Sequence, residues 1–264
     1  LGASRTAMLF EREGAEVELG PTLRKLATAA TFNPSLPYLS FLSINFDVPV
    51  VNEAVSWFLG GVFLNYNNSH LERVLEQMLD EADSPKVTRF LRAVDVRIDG
   101  FRVEKATEGR GQRVFVRHNV DGRGYELRLS EESAGTQKLM RLASFLLAAL
   151  ERGGTVVVDE LDAKLHPKLL RYVILLFKDP EINKNGAQLI FSSQDVSTMR
   201  NDVFRRDEIW FAARGEGEAS QLWSLADIHE ANGNLVSKNA AFDKQYLSGR
   251  YGADPYLTRI EEWD

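Results

Sequence analysis

The residues with the clearest capacity for chemistry lie between Ser130 and Asp195. Two adjacent carboxylates, Asp159 and Glu160, follow directly on Thr155-Val-Val-Val, and Asp162 stands just beyond them. Upstream is a run of small and hydroxyl residues, Ser133-Ala134-Gly135-Thr136, and downstream the chain reads Gln188-Leu-Ile-Phe-Ser-Ser-Gln194-Asp195. Paired carboxylates can divide hydrolytic work. Asp159 could hold Mg2+, directly or through water, while Glu160 orients or deprotonates an attacking water. Small residues at a helix start let a phosphate approach free N–H groups at the positive end of the dipole.

The elements that must position these groups are legible from pattern. Thr155–Val158 is β-branched without polar alternation, which suits a central parallel strand covered on both faces. Asp159-Glu160 then sit at the C-terminal end of a buried strand, where open α/β sheets bind ligands. Leu139, Leu142, Ala143, Leu146, Ala149 and Leu150 recur with the helical period, predicting a largely buried helix from about Thr136 to Leu150. Pro167 suits the first turn of a second helix, with Leu169, Leu170, Val173, Ile174 and Phe177 as its apolar stripe. Gln188–Ser193 returns as a second buried strand in a right-handed strand–helix–strand unit, bringing Gln194-Asp195 to the edge that carries Asp159-Glu160. The plainer alternatives are solvated acids at a strand end and an ordinary serine helix cap.

Together the pieces resemble a known family. Ser133-Ala-Gly-Thr-Gln-Lys-Leu resembles the signature motif of ABC-type ATPases, Val-Val-Val-Asp159-Glu160 resembles Walker B, Leu-Asp162-Ala-Lys-Leu resembles the D-loop, and Ser-Ser-Gln194-Asp195 occupies the switch-histidine position. Asp-Glu-Leu-Asp-x-x-Leu-His-Pro, Gln-Leu-Ile-Phe-Ser-Ser, Arg206-Asp207-Glu208-Ile209-Trp210-Phe211 and Tyr246-Leu-Ser-Gly-Arg-Tyr-Gly-Ala-Asp-Pro are similar to a narrower branch of this SMC/Rad50-like superfamily. That branch is the prokaryotic stand-alone AAA ATP/GTP phosphatases associated with anti-phage defence. The resemblance implies an α/β fold: an ABC-type P-loop NTPase core of parallel strands with flanking helices, and an inserted helical and β-hairpin subdomain. It implies ATP and Mg2+ as cofactors and a homo-oligomer with ATP sandwiched between protomers. Glu160 would be the catalytic base and Asp159 the Mg2+ partner. Ser133, Ala134, Gly135 and Thr136 would meet the partner-held nucleotide, with Ser133 and Gly135 at its γ-phosphate. Asp162 would bridge protomers, and Gln194 would sense the γ-phosphate.

Two departures stand out. No Gly-x-x-x-x-Gly-Lys-[Ser/Thr] occurs, and the chain opens on Leu1, so an upstream lobe carrying Walker A is expected. Gln194 stands where the family usually has histidine, and glutamine cannot carry a proton charge, so slow or conditional hydrolysis is expected.

Composition bounds the rest. Hydrophobic residues at 44% and charged residues at 27% are those of a globular chain. The lack of cysteine excludes disulfides, and with no membrane-length apolar run and no signal-peptide pattern a cytoplasmic, membrane-free setting is expected. A net charge of −6 argues against a uniformly basic nucleic-acid surface, though Lys105, Arg110 and Arg113 could form a local one.

By segment, residues 1–20 read as a strand hairpin of the N-terminal lobe, and residues 21–94 as a helical subdomain. Within the latter, Pro21 opens a helix through Ala30, the apolar stretch from Leu36 to Tyr66 (Trp57 and Phe58 included) is buried, and Gly60-Gly61 breaks it. His70–Glu81, with Leu71, Val74, Leu75 and Met78 inward, and Pro85–Val94 follow as amphipathic helices. Residues 95–129 are β-rich, 130–228 form the ATPase core ending in strands Glu208–Ala212 and Ser220–Leu225, and 229–264 carry helix Ala240–Leu247 and a tail. His118 and His166 lack metal-spaced partners and are assigned local structural roles.

Two other functions fit the same residues. An ATP-gated scaffold of little turnover would hold an effector, a toxin or nuclease, until a phage signal arrives, with Gln194 in its favour. A metal nuclease on Asp159, Glu160 and Asp162 lacks the second acidic strand motif it would need. Because the P-loop N–H groups and lysine supply most triphosphate affinity, residues 1–264 alone should show little ATP binding by calorimetry. Clear Mg2+-dependent binding should appear once the upstream lobe is restored, and micromolar affinity in the isolated chain would contradict this.

Overall fold

The computed structural model describes residues 7–26, 32–60, 62–65, 76, 78–105, 111–214, 219–230 and 233–253. The chain divides into two compact units, Leu1–Val62 and Phe63–Asp264.

In the first unit, β1 (Phe10–Glu13) and β2 (Glu16–Leu19) form the expected hairpin, registered from Phe10 opposite Leu19 to Glu13 opposite Glu16. Helices α1 (Tyr38–Asn45) and α2 (Pro49–Gly60) follow. Leu23, Tyr38, Phe41, Leu42 and Val51 make the core, with Tyr38 edge-on to Phe10 at 5.1 Å. The helix predicted from Pro21 is instead a turn and a single 3-10 turn, Arg24–Leu26. The Leu23 and Arg24 amides both bond the Gly20 carbonyl, which tightens the chain enough to bury Leu23 completely. Its remainder, 27–31, lies outside the described residues. Trp57 and Phe58 are not buried but 57% and 64% exposed. Helix α2 carries apolar residues on more than one side, and among its described side chains Val51 and Val55 meet the core while Trp57 and Phe58 do not.

In the second unit, β3 (Val62–Asn65), β7 (Thr155–Asp159) and β8 (Gln188–Phe191) form a sheet in that order. Strand β7 is central and runs parallel to β8, from Thr155 opposite Gln188 to Val158 opposite Phe191. The connection contains α5 (Pro167–Lys178), as the strand–helix–strand pattern demanded. Burial along β7 alternates, however: Val156 and Val158 are sealed while Val157 is half-buried and its neighbour Ile190 is 53% exposed. Among the described residues one sheet face is therefore well covered, with Leu189 and Phe191 half-buried beside Val156 and Val158, and the other less so. Helix α4 (Ala134–Arg152) begins two residues before the predicted start because Ser133, not a later residue, caps it.

Helix α3 (Ser84–Ala93) packs on an antiparallel sheet of β4 (Gly100–Lys105), β5 (Gln112–Val120) and β6 (Arg123–Arg128). Most of the predicted helix His70–Glu81, with Leu71, Val74 and Leu75, lies outside the described residues, and Met78, expected inward, is 58% exposed. Strands β9 (Trp210–Arg214) and β10 (Ser220–Ser224) and helix α6 (Phe242–Leu247) enclose a second core of Ile209, Phe211, Leu225, Val236, Phe242 and Tyr251. Among the described residues no helix is long and apolar enough to cross a membrane.

Leu142, fully buried on α4, tests this packing. Leu142→Ala should cost about 2–5 kcal/mol in denaturant unfolding, while the volume-conserving Leu142→Met should cost less than about 1.5 kcal/mol.

Candidate functional site

Strand β7 delivers Asp159 and Glu160 to the end of the sheet, and the return of β8 places Ser192 beside them. The Ser192 hydroxyl accepts the Glu160 amide N–H at 2.8 Å and donates to Asp159 Oδ1. The Leu161 amide bonds the Ser192 carbonyl at 3.0 Å. One oxygen of Asp159 is thus oriented, and the other has no partner among the described residues. Glu160 takes a left-handed backbone conformation, φ 51°, uncommon for a residue with a Cβ. Its half-buried carboxylate makes no hydrogen bond among the described residues.

The turn that follows is closed by the Ala163 amide on the Glu160 carbonyl (3.1 Å) and the Leu165 amide on the Asp162 carbonyl (2.9 Å). Lys164 supplies a second left-handed residue, φ 65°. Asp162 Oδ2 accepts the Gln194 amide at 3.2 Å, which ties the turn to the segment after β8. Asp162 Oδ1 is buried without a hydrogen-bond partner among the described residues.

Against this turn sits the start of α4. Ser133 Oγ accepts the Thr136 amide at 3.1 Å and lies 2.8 Å from Thr136 Oγ1. A Cβ on Gly135 would stand 2.9 Å from the Lys164 carbonyl oxygen, so only glycine permits this approach. One turn on, Lys138 is 1% exposed, and its ammonium donates to the carbonyls of Glu160 (2.7 Å), Leu161 (2.8 Å) and Ala163 (2.8 Å). Burial pulls its pKa down to about 8, opposed by the Asp162 and Glu160 carboxylates, so it stays charged at neutral pH.

The structure therefore brings the start of α4, with Ser133, Ala134, Gly135 and Thr136, against the turn that carries Asp159, Glu160 and Asp162, to which Asp162 ties the Gln194 backbone. Asp195 is occupied locally, accepting the Ser197 amide at 2.8 Å and its hydroxyl at 2.7 Å. His166 caps α5 by accepting the Lys168 amide, and His118 bridges the Arg97 carbonyl and Glu132, both structural roles. Lys105 and Arg113 are exposed at the β4–β5 hairpin end, and Arg110 lies outside the described residues.

The donors fit a hard cation in part. Among the described residues no three His, Asp or Glu side chains cluster closely enough to hold a metal. Mg2+ commonly takes one or two carboxylates and completes its octahedron with water and phosphate oxygens, so the open Asp159 oxygen suffices as its protein anchor. Pattern reasoning missed Ser192 and Lys138. Lys138 was detectable: it shares a helical stripe with Leu142 and Leu146, and a lysine there must find acceptors.

A family model described as "AAA domain, putative AbiEii toxin, Type IV TA system" matches residues 30–200. The match spans more than half of the chain, and the chain belongs to this family of P-loop, nucleotide-binding ATPases. No curated protein matches it.

Lys138→Met should leave three buried carbonyls unpaired and cost about 3 kcal/mol. Because the folded pKa, about 8, lies below the ordinary 10.5, the unfolded chain holds the extra proton between those values. Stability should rise with pH across that window by up to about 1.4 kcal/mol per unit. Urea midpoints from pH 7 to 10 should show this increment in the wild type and lose it in Lys138→Met.

Proposed function

We propose that this AAA-family chain supplies one side of an ATP-hydrolysing site whose other side comes from a second protomer, in the manner of ABC-type enzymes. The observation that carries the reading is the double tie at the sheet edge: Ser192 fixes Asp159 and Glu160, while Lys138 fixes the Asp162 turn against the start of α4. The tie gathers the acidic pair, the Asp162 turn and the α4 start, which hydrolysis of a sandwiched nucleotide would use.

In this reading Asp159 anchors Mg2+, which when bound offsets triphosphate charge. The Glu160 carboxylate, without a hydrogen bond among the described residues, orients and deprotonates the attacking water. Ser133, Ala134, Gly135 and Thr136 present a hydroxyl-lined helix start to the γ-phosphate of the partner's nucleotide. Asp162 carries the turn that meets the other protomer, and the Gln194 side chain reads the γ-phosphate. The phosphate cradle itself comes from outside these 264 residues, which contain no P-loop motif. The family description names a putative toxin and a type IV TA system, which supports a role alongside a toxin effector. In this reading the effector, a toxin or nuclease, serves anti-phage defence in the cytoplasm, where ATP is abundant.

The ATP-gated scaffold is the second reading, and Gln194 favours it. Its backbone is held by Asp162 while its amide side chain can bond a phosphate but not relay a proton.

In the intact protein, Glu160→Gln should lower ATP turnover by at least about 100-fold while ATP-bound assemblies accumulate. Unchanged turnover would remove Glu160 from the role. Ser133→Arg should abolish hydrolysis without unfolding the chain. Mixed with a Walker A variant it should regain part of the activity, since each mixed dimer keeps one intact composite site. Mixed dimers that form but stay inactive would argue against sharing.

A further inference from the structure

A cleft of about 520 Å3 opens between α3 and the β4 edge, lined by none of the residues assigned above. Its charge is set by Arg89, Arg92 and Arg117 against Glu81 and Asp99. Much of that charge is already spoken for. Arg92 bonds Asp99 and, through Nε, the Ile98 carbonyl at 2.7 Å. Glu81 accepts the Val103 amide at 3.1 Å. Arg89 and Arg117 make no hydrogen bond or salt bridge among the described residues, although Arg117 stands opposite Glu126 on β6 and interacts with its carboxylate electrostatically.

Neutral donors accompany them. Thr88 is 8% exposed, and its hydroxyl is buried with no hydrogen-bond partner among the described residues. Ser84 Oγ accepts the Phe101 amide at 2.9 Å, which leaves its own proton for another acceptor. At Gly100, φ 145°, a Cβ would stand 3.1 Å from Arg117 Nη2 and 3.3 Å from Ser84 Oγ. The bare Cα there leaves room for both the guanidinium and the serine hydroxyl beside it.

We propose that this cleft binds a phosphate group, with Arg89 and Arg117 as the charged forks and Ser84 and Thr88 as neutral donors. A guanidinium matches two phosphate oxygens at once, and a buried hydroxyl lacking a partner is the acceptor-seeking group such a ligand satisfies. Pro85 is the sole apolar residue in the lining, so nothing there would stack a base or hold a hydrophobic body. On β4, Arg102 is taken by Glu126 and Glu104, so it does not add to the run of unpaired cations that a nucleic-acid backbone requires. The ligand is accordingly a small phosphomonoester rather than a nucleic acid. The site is independent of the ATPase reading.

The test uses the intact protein with inorganic phosphate as the probe, against chloride at matched ionic strength, followed by thermal shift and calorimetry. Phosphate should give a saturable stabilisation, and Arg89→Gln and Arg117→Gln, both at exposed positions, should fold normally and each weaken it at least about tenfold. Thr88→Val should weaken phosphate binding yet leave the phosphate-free protein as stable or more so, because it removes an unpartnered hydroxyl. No saturable shift, or one indifferent to both arginine variants, overturns the proposal. A short DNA duplex is the second probe. Duplex binding tighter than phosphate binding and lost in both variants would overturn the small-molecule assignment and make the cleft part of a nucleic-acid surface.

Discussion

The site depends on one ammonium group placed where water cannot reach it. A buried lysine is costly unless each of its protons finds an oxygen, and Lys138 finds three in consecutive stretches of one turn. Those carbonyls belong to a segment with two left-handed residues, Glu160 and Lys164, which would otherwise have strong reason to relax. The three hydrogen bonds thus hold the turn in that shape, and the turn presents Asp162 and Glu160. Gly135 completes the junction by letting the α4 backbone approach the Lys164 carbonyl.

The second constraint is the parallel pairing of β7 with β8. Parallel neighbours end on the same side, so the acidic pair and the Ser192–Asp195 segment emerge together, and the Ser192 hydroxyl spans them. One oxygen of Asp159 is oriented while the other stays open, and Glu160 keeps its carboxylate uncommitted. An acid held by a neighbour and an acid left free differ in what they can do, and that difference matches a cation anchor beside a water-orienting base.

Much of this was legible in the sequence. The β-branched run ending in Asp159-Glu160 predicted a strand, its place at the centre of the sheet and its parallel partner, because a continuous apolar strand followed by an amphipathic helix leaves few other arrangements. The start of α5 was legible through Pro167, whereas α4 begins two residues ahead of the start read for it, on the Ser133 cap. What escaped was set by tertiary contacts. Lys138 reads as an ordinary helix residue until its stripe is compared with Leu142 and Leu146. Ser192 reads as a strand end, with nothing local to say that it bridges two acids. In the first unit, apolar content at Trp57 and Phe58 gave no indication that they would stay exposed, since apolar residues lie on more than one side of that helix.

The central claim is that the start of α4, the Asp162 turn and the Ser192–Asp195 segment answer to nucleotide as one unit. Amide hydrogen exchange on the intact protein, with and without a non-hydrolysable ATP analogue and Mg2+, tests it most directly. The account predicts that residues 133–137, 160–165 and 192–195 gain protection together, at the same nucleotide concentration, when protomers assemble. Nucleotide binding that protects other regions and leaves these three segments unchanged would contradict it.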